Sequence, residues 1–520
     1  MAKLSLPPTD SSLASTLRDV DAARTWLATQ SLAQPLKMIR ALLQEIHAVD
    51  ASVDDPAVRM DILSVLHAAV LQAQEGVAVR YAHKPLPLLN DELTAFEQSR
   101  ELWMVLAVAY LRAAPLLPPS QMLLALYRGA VSLRESLYCH YLAGIEIGTG
   151  TPKLMMELLA AAESLNVQRV PVNDSDYGVR KDACIAGEIA WAILLGFCDP
   201  YHFTPAQLTV TNRALSRWCD LASFQAQPDE DQRHSKAIPL ERWAGLDILI
   251  DGGPKWLDVR PVIRKIRKRV ESLEAGETPE QLRLGRELSP VACMRLMNEL
   301  DQVLRPKVKA SGDRLSGATI DLVFSHEHLY TLLSGKSLEA RELSSKSTTI
   351  SHERLGVFGF DNAAARTDIV TDLRAPAESW AIEEHWVLRA APAGNQVISP
   401  LLVGIRPQKE GGTPQLAVLF GLRQTGDGWL AAQLRILPAP AACGILNANL
   451  PAAMKGTSKP QPAFLIPGDS DYPVSICLPT GLGSREGSLM SLSDSPVEHL
   501  RLGEVIERGS NFVRFTYART

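Results

Sequence analysis

Along roughly the first two hundred residues, apolar side chains return every three to four positions, the period of a helix with one buried face. After Pro35 they fall at Ile39, Leu42, Leu43, Ile46 and Val49. Asp54-Asp55-Pro56 then places a capping acid before a proline suited to a first helical turn. Ile62, Leu63, Leu66, Ala69 and Val70 carry the period on, and Pro85 and Pro87 end it. Further helical runs are predicted over 102–111, 122–137, 153–165, 183–195 and 205–221, separated by turns at Pro115, Pro118, Pro119, Pro152, Pro171 and Pro200. Stacked helical hairpins satisfy this pattern. No 34-residue consensus recurs, so a tetratricopeptide array is not expected.

Beyond this region a polar stretch, 227–236, reads as an exposed loop. An amphipathic helix is predicted from Pro261, with Val262, Ile263, Ile266, Val270 and Leu273 on one side, and a last helix over 289–304. Near residue 315 the period shortens. Thr319-Ile320-Asp321-Leu322-Val323-Phe324 alternates as a strand does, and 380–388 and 397–405 read as successive strands. The clearest hairpin joins 416–423 to 429–437 through Thr425-Gly426-Asp427-Gly428. Strand character continues at 463–466, 474–478 and 512–516. Short strands without intervening long helices point to a small antiparallel barrel or paired barrels. The expected fold class is α+β and multidomain: a helical-repeat domain over 1–230, a helical connector over 231–314 and a β-rich region over 315–520.

Composition narrows the function more than the fold. The chain of 520 residues is 46% hydrophobic and 21% charged with a net charge of −5, an ordinary globular balance that excludes a nucleic-acid-coating protein. Its seven cysteines are widely spaced without a Cys-x-x-Cys, so buried thiols in a reducing compartment are expected in place of disulfides or zinc. The longest apolar stretches, 103–117 and 185–198, are interrupted by charge or fall short of the roughly 20 residues that cross a bilayer. The first residues form no secretory signal, and a cytoplasmic location is expected.

Catalytic motifs fail on chemistry. Ser334-Gly335-Lys336-Ser337 ends like a phosphate loop, but Tyr330 stands where the first glycine must be, so the amide cradle cannot form. Gly481, Gly483 and Gly487 are spaced for turns, and Gly144, Gly148 and Gly150 for a helix end. His326-Glu327-His328 lacks a third metal ligand at a usable spacing and reads as a solvated loop. Glu383 and Glu384 are neighbours in a predicted strand and point to opposite faces. No enzyme, metal or cofactor is expected.

Two groups of basic residues remain. Arg260, Arg264, Arg267 and Lys268 gather on one side of the amphipathic helix, an interaction face for phosphate, an acidic partner or a membrane surface, or else a solvated face balanced by Glu271, Glu274, Glu277 and Glu280. Arg305, Lys307, Lys309 and Arg314 lie just before the first strand and offer a second phosphate-facing set.

A helical N-terminal region, a basic link and a β-rich half resemble bacterial proteins carrying PilZ or PilZ-like domains, six-stranded barrels many of which bind cyclic di-GMP. The stretches that look like members of that group are Gly196-Phe197-Cys198-Asp199-Pro200-Tyr201-His202-Phe203, Asp321-Leu322-Val323-Phe324 with His328-Leu329-Tyr330, and Glu507-Arg508-Gly509-Ser510-Asn511-Phe512. The resemblance implies an Arg-x-x-x-Arg before the first barrel strand, whose arginines grip the ligand. Arg305-Pro306-Lys307-Val308-Lys309 is the best-placed candidate, with lysine in the second slot; Arg260-Pro261-Val262-Ile263-Arg264 keeps the spacing farther upstream. It also implies an Asp/Asn-x-Ser-x-x-Gly, at Glu384-His385-Trp386-Val387-Leu388-Arg389, where Trp386 replaces serine and Arg389 replaces glycine. The function so implied is non-enzymatic regulation or scaffolding in motility or surface-polysaccharide control, with a protein partner bound by the helical domain. A protein-interaction adaptor without a nucleotide and an enzyme with a site assembled from distant residues are the alternatives.

Overall fold

In a computed structural model the chain is described over residues 4–10, 12–31, 33–177, 183–227, 237–244, 255–304, 318–338, 375–407, 412–446, 460–470 and 472–520. It divides into two compact units. The first comprises Met1–Gly312 with Arg423–Asp427, and the second Asp313–Leu422 with Gly428–Thr520.

The first unit is helical: α1 (Val20–Thr29), α2 (Pro35–Ser52), α3 (Pro56–Tyr81), α4 (Asn90–Ala113), α5 (Pro119–Ala143), α6 (Gly150–Ser164), α7 (Ile185–Phe197), α8 (Pro205–Trp218), the short α9 (Glu241–Ala244), α10 (Arg260–Glu274) and α11 (Pro290–Val303). Local chemistry sets the ends. Asp55 accepts from the amides of Ala57 and Val58 to start α3, and Thr204 with Gln207 forms a capping box on α8. Gly144 closes α5 in the left-handed region at φ 68°. Gly150, read from sequence as ending a helix, instead begins α6. α3 is long and apolar enough to cross a membrane by length and composition, but Ile62, Leu63, Leu66, Val70 and Val77 are buried in this unit, where α3 packs on α2 and α4.

A buried polar network ties the loop after α6 to the helices. Arg128 bonds Asp174 at 2.7 and 2.9 Å and Asp176 at 2.9 Å, and His67 meets Tyr110 at 3.1 Å and Tyr177 at 2.5 Å. Burial and the Arg128 charge push the His67 imidazole down to about 3, so it stays neutral. The seven cysteines are buried free thiols, as their spacing implied. A three-stranded sheet, β1 (Ser223–Gln225), β3 (Trp256–Asp258) and β2 (Ala237–Pro239), leads into α10.

The second unit holds two closed barrels. The first consists of β4 (Thr319–Val323), β5 (Glu378–Glu383), β6 (Trp386–Ala390), β7 (Leu401–Arg406), β8 (Gln415–Gln424) and β9 (Trp429–Ile436), ordered β4-β5-β6-β9-β8-β7. The second consists of β10 (Ala442–Leu446), β11 (Gln461–Ile466), β12 (Ser475–Pro479), β13 (Leu489–Ser493), β14 (His499–Arg508) and β15 (Phe512–Arg519), ordered β10-β11-β12-β15-β14-β13. Counted within each barrel the order is the same: one, two, three, six, five, four. The expectation of paired barrels is met.

One helix, α12 (His326–Ser334), follows β4. Sequence reading placed its first residues in a loop. The Ser325 hydroxyl accepts from the His328 amide at 3.3 Å, capping a turn that Leu329 and Tyr330 then anchor in the core. The stretch 380–388, read as one strand, is the hairpin β5–β6, broken at Glu384, which turns the chain at φ 56°.

Candidate functional site

α10 starts with Pro261 in its first turn and buries Val262, Ile263, Ile266 and Leu273, which face α11 and its Cys293, Leu296, Met297 and Leu300. That burial turns the basic residues outward. Two are tied down by carboxylates: Arg260 Nη2 lies 2.7 Å from Asp258, and Arg267 Nε lies 3.2 Å from Asp301. Arg264 and Lys268, one turn apart, are exposed. Burial would raise the Asp258 carboxyl, but hydrogen bonds from Arg260 and the charge of Arg264 hold it below its ordinary value. The predicted face therefore exists as a surface, with half of its positive charge already matched inside the protein. Arg305, Lys307, Lys309 and Arg314 lie outside the described residues.

The position that the PilZ-type motif assigns to glycine is Arg389, and the structure gives it a different task. On β6 it shares the inward face with Val387, and only 3% of it is exposed. Its Nη1 lies 3.2 Å from Glu378 Oε2, its Nη2 donates to the Asn395 carbonyl at 2.8 Å, and its guanidinium lies 5.1 Å from the Trp380 ring centroid. Gly394 leaves the room for this: a Cβ there would stand 1.6 Å from Arg389 Nη1. In this barrel the arginine plugs the interior with Glu378 and Trp380, where a glycine would open the backbone.

The stretches that carry the family resemblance divide between two places. Leu322 and Val323 are buried in the first barrel, and Val323, Leu329 and Tyr330 join Leu402, Phe464 and Phe512 in a core shared by both barrels. The turn Gly509–Phe512 clasps the same seam. Asn511 Oδ1 accepts from Leu402 N at 2.9 Å while its Nδ2 donates to Leu402 O at 3.1 Å, and Ser510 Oγ donates to Pro400 O at 2.9 Å.

The third stretch lines a cleft of about 600 Å³ in the helical unit. Tyr141 from α5, Phe197 at the end of α7, Tyr201 just beyond it and Trp243 from α9 supply aromatic walls, and Glu146 and Asp199 supply carboxylates. Tyr141 and Tyr201 meet edge to face at 5.6 Å and 69°. Asp199 turns the chain out of α7 with φ 52°, which brings Tyr201 back over the helix end, where its hydroxyl donates to the Ile145 carbonyl at 2.9 Å. Burial, reinforced by the Asp199 charge, raises the Tyr141 phenol, so it stays neutral. The segment alone does not reveal the cleft in the sequence, because Tyr141, Glu146 and Trp243 reach it from other elements. Among the described residues no group of three or more histidines, cysteines or acids is placed to hold a metal.

Residues 21–229 match the family model of the N-terminal domain of the cyclic-di-GMP receptor FimW. No curated protein and no solved structure matches the chain. The resemblance to PilZ-like proteins of cyclic di-GMP signalling with a helical N-terminal domain is borne out by this match.

Proposed function

We propose that this chain, whose residues 21–229 match the N-terminal domain model of the cyclic-di-GMP receptor FimW, is a non-enzymatic cyclic di-GMP receptor of the cytoplasm that passes the signal on by binding a protein partner, in motility or surface-polysaccharide control. The match of residues 21–229 carries the reading, and two closed six-stranded barrels after it supply the β architecture that the resemblance implies. The ligand's two phosphates and guanine faces call for several cations in one short segment. Arg305, Lys307, Lys309 and Arg314, just ahead of β4, are the residues of the chain best supplied to meet it. Arg260 and Arg267 are less suited, since Asp258 and Asp301 already hold them. In the cleft of the helical unit Glu146 is engaged by Arg423 and Asp199 by His202, an arrangement made for recognising charge more than for proton transfer.

Calorimetric titration of the full chain with cyclic di-GMP tests the reading. Micromolar binding is expected, weakened at least about tenfold by Arg305→Ala, with GMP giving no comparable heat. Absence of heat at high ligand concentration overturns the receptor and leaves a protein-interaction adaptor.

A further inference from the structure

The cleft beside α7 is not used by the nucleotide reading, and its chemistry is specific. Its walls are aromatic, and the face of an aromatic ring, the negative side of its quadrupole, attracts cations. Two carboxylates stand among them, and both tyrosines remain neutral phenols, held so first by burial. The space at its floor is a built feature. Gly196, on the last turn of α7, has no side chain, and a Cβ there would lie 2.8 Å from both Trp243 Nε1 and the Tyr141 hydroxyl. A guanidinium already tests the fit: Arg423, which belongs to the same compact unit, places its Cζ 5.7 Å from the Tyr201 ring centroid and its Nη2 3.4 Å from Glu146 Oε1. Arg423 meets one carboxylate of the lining, Glu146; the second, Asp199, has a histidine, His202, 3.4 Å from it and keeps 36% of its side chain exposed.

We propose that this cleft is a docking pocket for an arginine or lysine side chain presented by a protein partner. A cation entering beside Arg423 meets aromatic walls and the Asp199 carboxylate together, the combination that recognises guanidinium and ammonium groups. A phosphate-bearing ligand meets the same two carboxylates as repulsion. The N-terminal turn of α6 borders the cleft at Thr149 and Pro152. This inference goes beyond the cyclic di-GMP reading and stands if that reading fails.

The test uses the full chain labelled with 5-fluorotryptophan, the Trp243 fluorine resonance being assigned as the one lost in Trp243→Phe. The probes are N-acetyl-arginine amide, its neutral isostere N-acetyl-citrulline amide, and cyclic di-GMP. The arginine probe is expected to shift the Trp243 resonance saturably and the citrulline probe is not. Asp199→Asn is expected to weaken the arginine probe about tenfold. Asparagine adopts the left-handed backbone of Asp199 readily, so this variant keeps the fold, and an unchanged unfolding midpoint checks it. Equal shifts from arginine and citrulline, no shift from either, or full binding in Asp199→Asn overturns the proposal. So does a Trp243 shift produced by cyclic di-GMP in place of arginine, which assigns the cleft to the nucleotide.

Discussion

In the first barrel the second strand turns Glu378, Trp380 and Ile382 inward, and the third strand adds Val387 and Arg389. In the second barrel the second strand gives Ala463 and Leu465 to the interior, and the third gives Ile476 and Leu478, with Leu492, Leu500, Leu502 and Phe515 completing an apolar core. Strand order is the same in both. The strands also differ on their outer faces. β11 is buried on both sides, Ala463 and Leu465 inward and Phe464 and Ile466 into the shared core, whereas β5 exposes Ser379, Ala381 and Glu383. The arginine of the second barrel, Arg514, lies on the shared-core side of β15, 1% exposed, with Nε 2.9 Å from Ser475 Oγ and the Tyr472 ring 5.4 Å away. One topology thus holds an interior with a single ion pair set among apolar side chains such as Leu322, Val403, Leu419 and Leu430 in one copy, and an apolar interior in the other. Closing the barrel requires the alternation of faces and the order of strands, and it leaves the inward chemistry open.

The largest effect should come from breaking the ion pair that sets the first barrel apart. Glu378→Ala leaves the Arg389 guanidinium buried without its carboxylate and is expected to destabilise the first barrel by about 3 kcal/mol, whereas Arg389→Met, which removes charge and need together, is expected to stay within about 1 kcal/mol of the parent. Hydrogen exchange at β5 and β6 amides measures both. Equal losses in the two variants would mean that the pair contributes nothing beyond packing.

The seam comes next. Asn511→Ala deprives Leu402 of both its amide-side and carbonyl-side partners and should cost about 2 kcal/mol, roughly two neutral hydrogen bonds. Exchange is then expected to quicken at β7 and at the β14–β15 turn, with β11 unchanged. A loss spread evenly through both barrels would merge them into one cooperative block.

The smallest effect is a pH dependence confined to the shared core. His326 stacks on Phe464 with centroids 5.6 Å apart, and burial pushes its imidazole down to about 4. A base whose folded value is depressed stays neutral in the fold and charges first in the unfolded chain. Stability from this residue is therefore full above pH 6.5, declines as pH falls from 6.5 toward about 4, and levels off below that. His326→Phe should flatten that decline as read by exchange in β11. His67 and His140, pushed down to about 3 and about 4 by burial, act in the helical unit and leave β11 exchange untouched.

Much of this architecture was legible in the chain because each half repeats one period. The helices from Pro35 to Trp218 were readable since their buried faces recur every three to four residues, and the β8–β9 hairpin since Gly426 and Gly428 mark its turn. What escaped reading has local causes. β10 is apolar on both faces with Gly444 at its centre, so no alternation marks it, and β13 and β14 are interrupted by serines or by Gly503 and charged residues that blur theirs. α12 hid behind His326-Glu327-His328 because its cap, Ser325, and its anchors, Leu329 and Tyr330, lie on either side of that triplet. The basic face on α10 was visible as a helical pattern, but Asp258 and Asp301, which engage half of it, come from other elements. The cleft was invisible for the same reason, since its walls come from α5, α7, α9 and the turn after α7.

Hydrogen-exchange mass spectrometry of the full chain with and without cyclic di-GMP tests the central claim most directly, because it reports binding and its place together. The account predicts slowed exchange in the peptides that carry Arg305, Lys307, Lys309 and Arg314 and in the first barrel, with the apolar second barrel unchanged. No change anywhere at saturating ligand, or protection that bypasses the basic segment, would contradict it.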